Sequence, residues 1–403
     1  MNQARTASFK PNLKEAPESC VHVPFKFPRS APPAEPGEPA VAEWERCASF
    51  KEEEFARSVS LALFDYMRKS HSRGFVVSLS GGVDSAAVAM LVHLMVVMGV
   101  RQLGVNGFYK KLSYLKKPKP LDRKAPEAAI TRQLLTCVYQ ATRNSSKTTS
   151  NAARALAEGV GAEFHHFDVD SLVREYRSTI EKSIGRKLSW ETDDIALQNI
   201  QARVRAPGVW MLANLKGALL VSTSNRSEAA VGYATMDGDT SGGLSPIAGI
   251  DKAFLRQWLQ WLETTGPDGN LGFSFLSLVN RQAPTAELRP QQQKQTDEED
   301  LMPYEILDEI ERAAIRDKLD PSEVKGLLKA NYPDYDDAQL EFWIERFFNL
   351  WCRNQWKRER YAPSFHVDDE NLDPKTWCRF PILSGGYARE LALMQGRAKG
   401  KES

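Results

Sequence analysis

The chain has 403 residues, of which 42% are hydrophobic and 26% charged, and its 53 basic and 52 acidic side chains leave a formal net charge of +1. That balance is ordinary for a globular protein of one large domain or two, and it excludes the broad basic footprint of a nucleic-acid binder. Five scattered cysteines (Cys20, Cys47, Cys137, Cys352 and Cys378) with no CxxC pair argue against a disulfide framework and a structural zinc site.

In chain order, residues 1–48 read as a Pro-rich linker or tail. Eight prolines between Pro11 and Pro39 prevent a long helix, and few large apolar residues are available for a core. No charged-then-apolar leader pattern is present, so the cytoplasm is the expected compartment. Order is expected from Ser49-Phe50-Lys51-Glu52, a capping-box pattern. It opens a helix that carries Phe55, Val59, Ala62, Leu63 and Tyr66 on one face and closes at Gly74. Phe75–Leu79 is a buried strand, and Ala86–Met98 a helix apolar on nearly every side. The most apolar run, Ala86–Val100, is too short to span a bilayer comfortably, and no membrane partner is expected.

Leu134–Tyr139 and Phe164–Val169 are further strands with a helix at Asn151–Glu158 between them, and Ala218–Val221 is another buried strand. Strands alternating with helices predict an α/β fold with a doubly wound, mostly parallel sheet, its ligand outside the carboxyl ends of the strands. Arg281–Glu299 is polar and Gln-rich, as in a mobile loop. From about 297 to 361 the chain turns helical and aromatic-rich, with Phe342, Trp343, Phe347, Phe348, Trp351 and Trp356 close together. The main domain is expected over 49–395, with this C-terminal helical layer as an extension and 396–403 as a frayed tail.

The segment Ser78-Leu79-Ser80-Gly81-Gly82-Val83-Asp84-Ser85 sits between a strand and a helix. Gly81 and Gly82 let the backbone turn tightly against an anion, Ser80 and Ser85 add hydroxyl donors, and the free N–H groups of the helix start favour negative charge. Asp84 would repel phosphate unless a cation bridged them, so it predicts Mg²⁺. The GxxxxGK[ST] pattern is absent, which argues against a γ-phosphate-transferring P-loop.

The SGGVDS loop resembles that of the ATP pyrophosphatases (an adenine nucleotide alpha-hydrolase-like fold), which hold departing pyrophosphate while ATP donates AMP. Three further segments resemble NAD⁺ synthetases, most closely the synthetase half of the glutamine-dependent ones: Asn199–Arg205, Ser222–Ala229 continuing through Met236–Asp239 to Gly242–Ile247, and Trp356-Lys357-Arg358. The resemblance implies ATP-dependent amidation of deamido-NAD⁺ through an NAD-adenylate. It assigns ATP contacts to the loop residues and to Thr223, Lys252 and Thr285, and dinucleotide contacts to Arg203, Lys357 and Trp356. Asp84 and Glu228 would hold Mg²⁺, and Asp239 would orient ammonium. Met236, Asp237 and Trp356 depart from the compact ammonia-using enzymes, which carry lysine, tyrosine and histidine there. The family implies a homodimer. Its glutamine-dependent branch carries an N-terminal glutaminase that 48 Pro-rich residues cannot hold, so ammonia, free or from a separate glutaminase, is the expected nitrogen donor. The alternatives are another adenylating amidotransferase and a non-catalytic nucleotide-binding regulator.

Overall fold

The computed structural model describes residues 24, 26, 41–119, 125–269, 271–282, 288 and 297–397. Most of the Pro-rich segment, of the Gln-rich loop and of the final residues lies outside them. The chain divides into two units, 1–46 and 47–403. The described part of the first holds a short 3₁₀ helix, Glu43–Arg46.

The second unit opens with α1 (Phe50–Ser70), which buries Phe55, Val59 and Leu63. The expected capping box does not form. Ser49 is the N-cap residue, but its side chain makes no capping hydrogen bond, and Glu52 turns away to accept from Gln257 Nε2 at 2.7 Å. Nor does Gly74 end this helix; His71 does, in the left-handed conformation at φ 57°. Gly74 is needed for a different reason. At φ +142° it passes so close to Leu134 that a Cβ would stand 2.5 Å from that residue's carbonyl oxygen.

Four strands follow in alternation with helices: β1 (Phe75–Ser78), α2 (Val83–Lys111), α3 (Pro126–Leu134), β2 (Leu135–Ala141), α4 (Lys147–Val160), β3 (Glu163–Asp168), α5 (Asp170–Ile184), α6 (Asp194–Arg203), α7 (Arg205–Lys216) and β4 (Leu219–Val221). All pair in parallel, in the order β3-β2-β1-β4, with Phe75 beside Leu135 on one side and Leu219 on the other. Side-chain alternation explains why both faces are covered. Val76, Val138 and Leu220 meet Val209 and Ala213 of α7, whereas Phe75, Val77, Cys137 and Tyr139 join the larger core built on α1, α2 and α4. The sheet is doubly wound, as the sequence predicts, and its order reverses at β1. The connections after β1 and β4 therefore part and leave a crevice between them.

Helix α2 runs well past the apolar stretch read from the sequence. Its 29 residues are long and apolar enough to cross a bilayer, but 83% of its most apolar window is buried. It serves as a core helix, and it bends at Gly104, whose φ is 64°.

Beyond β4 come α8 (Arg226–Val231), α9 (Lys252–Thr264), the short α10 (Ser277–Asn280) and α11 (Asp297–Asp300), then α12 (Tyr304–Glu311), α13 (Pro321–Asn331), α14 (Asp337–Arg353), α15 (Gln355–Arg358) and α16 (Ala388–Met394). Trp343, Phe347, Phe348 and Trp351 of α14 make a second core with Ile306 and Leu307 of α12, and this core takes in Ala230 and Val231 of α8. Of the six clustered aromatics, Phe342 and Trp356 stay exposed.

Candidate active site

The loop after β1 is shaped by its own hydroxyls. Ser85 Oγ accepts from Ser80 N at 3.2 Å, donates to Gly82 O at 3.2 Å, and lies 3.1 Å from Ser80 Oγ. Ser80 Oγ in turn accepts from Gly82 N at 3.2 Å. Gly81 stands at φ +87°, and a Cβ there would lie 2.2 Å from Thr149 O, so only glycine fits. Gly82 is the N-cap of α2, which puts the first free N–H groups of a long helix at the mouth of the loop.

Across the crevice, β4 ends at Val221 and leads to Asn225, the N-cap of α8. Asn225 Oδ1 accepts from Glu228 N at 2.9 Å, while its Nδ2 donates to Asp84 Oδ1 at 3.0 Å. One amide thus ties the starts of α2 and α8 together. Lys252, the first residue of α9, then places its ammonium between two carboxylates: Nζ donates to Glu228 Oε1 at 2.9 Å and also to Asp84 Oδ2. The lysine is buried, and both acids are more than four-fifths so. Asp84 and Glu228, 144 positions apart in the sequence, thus converge on one point that accepts positive charge.

That donor set fits Mg²⁺. Two carboxylates supply hard oxygens, and Mg²⁺ is commonly held by one or two carboxylates with substrate phosphates completing its shell. No group of three or more His, Cys, Asp or Glu able to hold a metal occurs among the described residues. The phosphates of a nucleotide would be needed to complete the site.

The far end of α8 is held by α15 and the residue before it. Asn354 Nδ2 donates to Val231 O at 2.7 Å, and Lys357 Nζ donates to Gly232 O and Ala234 O at 2.6 and 2.9 Å. Arg358 donates to Ala230 O at 2.6 Å and Ala229 O at 3.3 Å, and its guanidinium stacks 3.8 Å from the Trp351 ring centroid. Cations at a helix C-terminus satisfy carbonyls left over by the helix. Burial lowers the Lys357 ammonium below its usual range and brings the Arg358 guanidinium down to about 10.

A cleft of about 440 Å³ joins these parts. It is lined by Ser78, Leu79, Ser80, Gly82, Val83 and Asp84 of the loop, and by Thr223, Glu228, Asp239, Lys252 and Lys357 from the opposite wall. Asp239 Oδ2 accepts from Thr235 N at 2.7 Å. Arg203 does not line this cleft: its Nε donates to Met236 O at 3.0 Å, and it borders a groove of about 860 Å³ between α5 and α6. Trp356 lies outside both, 40% exposed, with Lys357 Nζ over its ring at 5.9 Å. Thr285 falls outside the described residues. Asp237, at φ 62°, pairs with Arg360 at 2.8 Å.

Asn225, Arg226 and Ser227 lie in the Ser222–Ala229 segment without individual roles assigned from the sequence, although Asn three positions before Glu is a helix-start pattern. Tyr304 and Asp308 carry no local signal of a part in the site.

The fold and this cleft define an α/β protein of the ATP pyrophosphatase type, with a Gly-Gly loop and a carboxylate pair at the switch point of a parallel sheet. A family model described as NAD synthase matches residues 55–359, and the chain belongs to that family. It is 33% identical over 336 residues to the glutamine-dependent NAD(+) synthetase of Aquifex aeolicus (strain VF5), covering 83% of this chain and 48% of that protein. It is 30% identical over 352 residues to that of Homo sapiens, covering 80% and 48%. The chain thus spans about half the length of the curated relatives it matches. The crystal structure of a glutamine-dependent NAD(+) synthetase from Cytophaga hutchinsonii superposes with a TM-score of 0.75 at 48% identity, covering 85% of this chain and 56% of that one.

Proposed function

We propose that the chain uses ATP to adenylate the carboxylate of deamido-NAD⁺ and lets ammonia displace AMP, giving NAD⁺. The observation that carries this reading is the placement of Lys252 between Asp84 and Glu228 at the mouth of the Ser80–Ser85 loop.

In the first step a nicotinate carboxylate oxygen bonds to the α-phosphorus as the bond to the β-phosphate oxygen breaks. The departing pyrophosphate is taken by the N–H groups at the start of α2, in the loop that the Ser80 and Ser85 hydroxyls shape, and these donors face negative charge before it develops. Asp84 and Glu228 would hold Mg²⁺, which would supply charge neutralisation at the phosphates. Lys252 adds a fixed positive charge beside the same oxygens. In the second step ammonia bonds to the acyl carbon and AMP leaves. Asp239, on the cleft wall, orients ammonium and takes its proton. Thr223 and Thr285 contact ATP, and Arg203, Lys357 and Trp356 serve the dinucleotide. For Lys357, the two backbone carbonyls it already holds mean that it also positions its own wall of the cleft.

Ammonia is the donor this chain uses. The relatives are named glutamine-dependent and the chain matches about half of each, which supports a second reading in which a glutaminase elsewhere releases that ammonia. We also read the chain as a homodimer. Exposed Leu172, Tyr176, Ile180 and Ile184, spaced by four along α5, support an apolar contact there. One assay tests the function: the chain with ATP, Mg²⁺, deamido-NAD⁺ and ammonium should form NAD⁺ and AMP in equal amounts, and glutamine should not replace ammonium. AMP without NAD⁺ would point to another acceptor. Nucleotide binding without AMP would point to a regulator.

A further inference from the structure

The helix α12 belongs to the C-terminal layer and does not line the cleft, yet it meets the charged cluster from behind at two points. Lys252 N donates to Ser227 Oγ at 2.8 Å, and Ser227 Oγ donates to Asp308 Oδ1. Asp308 Oδ2 also faces Ala253 N at 3.4 Å. One carboxylate therefore meets the first backbone donors of α9, directly and through a hydroxyl, where the helix dipole favours an acid. Ser227 is next to Glu228, so the same hydroxyl joins the helix that carries the acid to the helix that carries the lysine. One turn earlier on α12, the buried Tyr304 ring lies under the Lys252 ammonium, with Nζ 5.5 Å from its centroid. Lysine has a flexible four-carbon stem, and these contacts fix both ends of it.

We propose that α12 is the positioning element of the Asp84–Lys252–Glu228 cluster, with Asp308 setting where the Lys252 backbone stands and Tyr304 supporting its ammonium. Neither residue touches substrate; both act through Lys252. The assignment rests on the function proposed above. Burial pushes the Asp308 carboxyl well above the usual carboxylate range, with the Asp251 carboxylate acting in the same direction. Asparagine in its place keeps an amide oxygen to accept from the Ser227 hydroxyl, the bridge to the Lys252 backbone, and should largely serve.

The test is steady-state NAD⁺ formation from ATP, Mg²⁺, ammonium and deamido-NAD⁺ by D308A and D308N, each in the parent and in a K252A background. D308A should lower kcat about tenfold or more while the KM for ATP stays within about twofold, and D308N should return to within about threefold of the parent. In the K252A background D308A should change kcat by less than about twofold, because residues that act as a unit are not additive. A general loss of folded protein would multiply through both backgrounds equally, and that result overturns the proposal, as does a raised KM with kcat unchanged. If D308A does not fold, S227A, which removes the bridging hydroxyl, takes its place with the same expectations. A parent that makes no NAD⁺ overturns the functional reading, and this one with it. An active parent with additive losses overturns only the positioning role.

Discussion

At the end of β1, Ser80, Gly82 and Ser85 hold one another through hydrogen bonds that never span more than five residues. At the end of β4, α8 has only six residues, too few to be stable alone, and distant parts of the chain hold it. Arg226, 1% exposed, pairs with Glu311 at 2.8 Å, Glu370 at 2.6 Å and Asp251 at 3.2 Å. Ser227 binds Asp308, and the carbonyls at the other end are taken by Asn354, Lys357 and Arg358. The serine hydroxyls make the loop's frame locally, and distant groups only add to it, as Gln282 Nε2 does at Gly81 O at 3.3 Å and Asn225 at Asp84. Glu228 depends on a layer that follows it by some 80 (Asp308) to 142 (Glu370) residues. The difference teaches that the helical extension belongs to the site: it aims one of the two carboxylates.

The widest break between the two regions should come from Arg226→Ala. It leaves Glu311 buried without its partner, and removing one member of a buried ion pair costs about 3–5 kcal/mol. We expect a matching fall in unfolding free energy by chemical denaturation, with the α8 side of the cleft lost first. A fall of under about 1 kcal/mol would mean that the other contacts hold α8 unaided.

A smaller, strictly local effect is expected of Gly81→Ala. The left-handed φ and the approach to Thr149 O should cost about 1–3 kcal/mol of strain. Activity should fall through a raised KM for ATP, while the layer around α12 and α14 keeps its stability. Loss of that layer as well would erase the distinction drawn between the regions.

The smallest effect is a pH dependence. Burial pushes the Glu311 carboxyl from 4.5 up to about 7, with Arg226 opposing the rise. The folded state therefore keeps a proton that the unfolded chain gives up, so this contribution is whole below about pH 4.5 and is lost as pH rises through about 7. Glu311→Gln should flatten the decline of melting temperature across that window relative to the parent. Parallel curves would show that Arg226 holds Glu311 ionised throughout.

Legibility in the sequence follows the same division. The strands announce themselves as short apolar runs, and the loop is one contiguous string whose residue types match its chemistry. All four strands fall within two residues of where the pattern puts them. The failures have tertiary causes. Glu52 has the spacing of a capping box, but Gln257, 205 positions away, takes its carboxylate. Gly74 looks like a helix stop, but the crowding against Leu134 is what requires glycine there. Asp308 and Tyr304 fall in the stretch that reads only as helical and aromatic-rich, and no local pattern says that they meet Lys252, through Ser227 and by the ring. Lys357 and Arg358 of the basic pair also bind the end of α8, a second role that no local pattern announces.

In the function proposed for it, this cleft joins a carboxylate oxygen to the α-phosphorus of ATP. Deamido-NAD⁺ labelled with ¹⁸O in its nicotinate carboxylate, incubated with the chain, ATP, Mg²⁺ and ammonium, tests it directly. The predicted result is one ¹⁸O in the phosphate of the AMP released, none in the pyrophosphate, and the other retained in the NAD⁺ amide. Unlabelled AMP, or ADP in place of AMP, would contradict it.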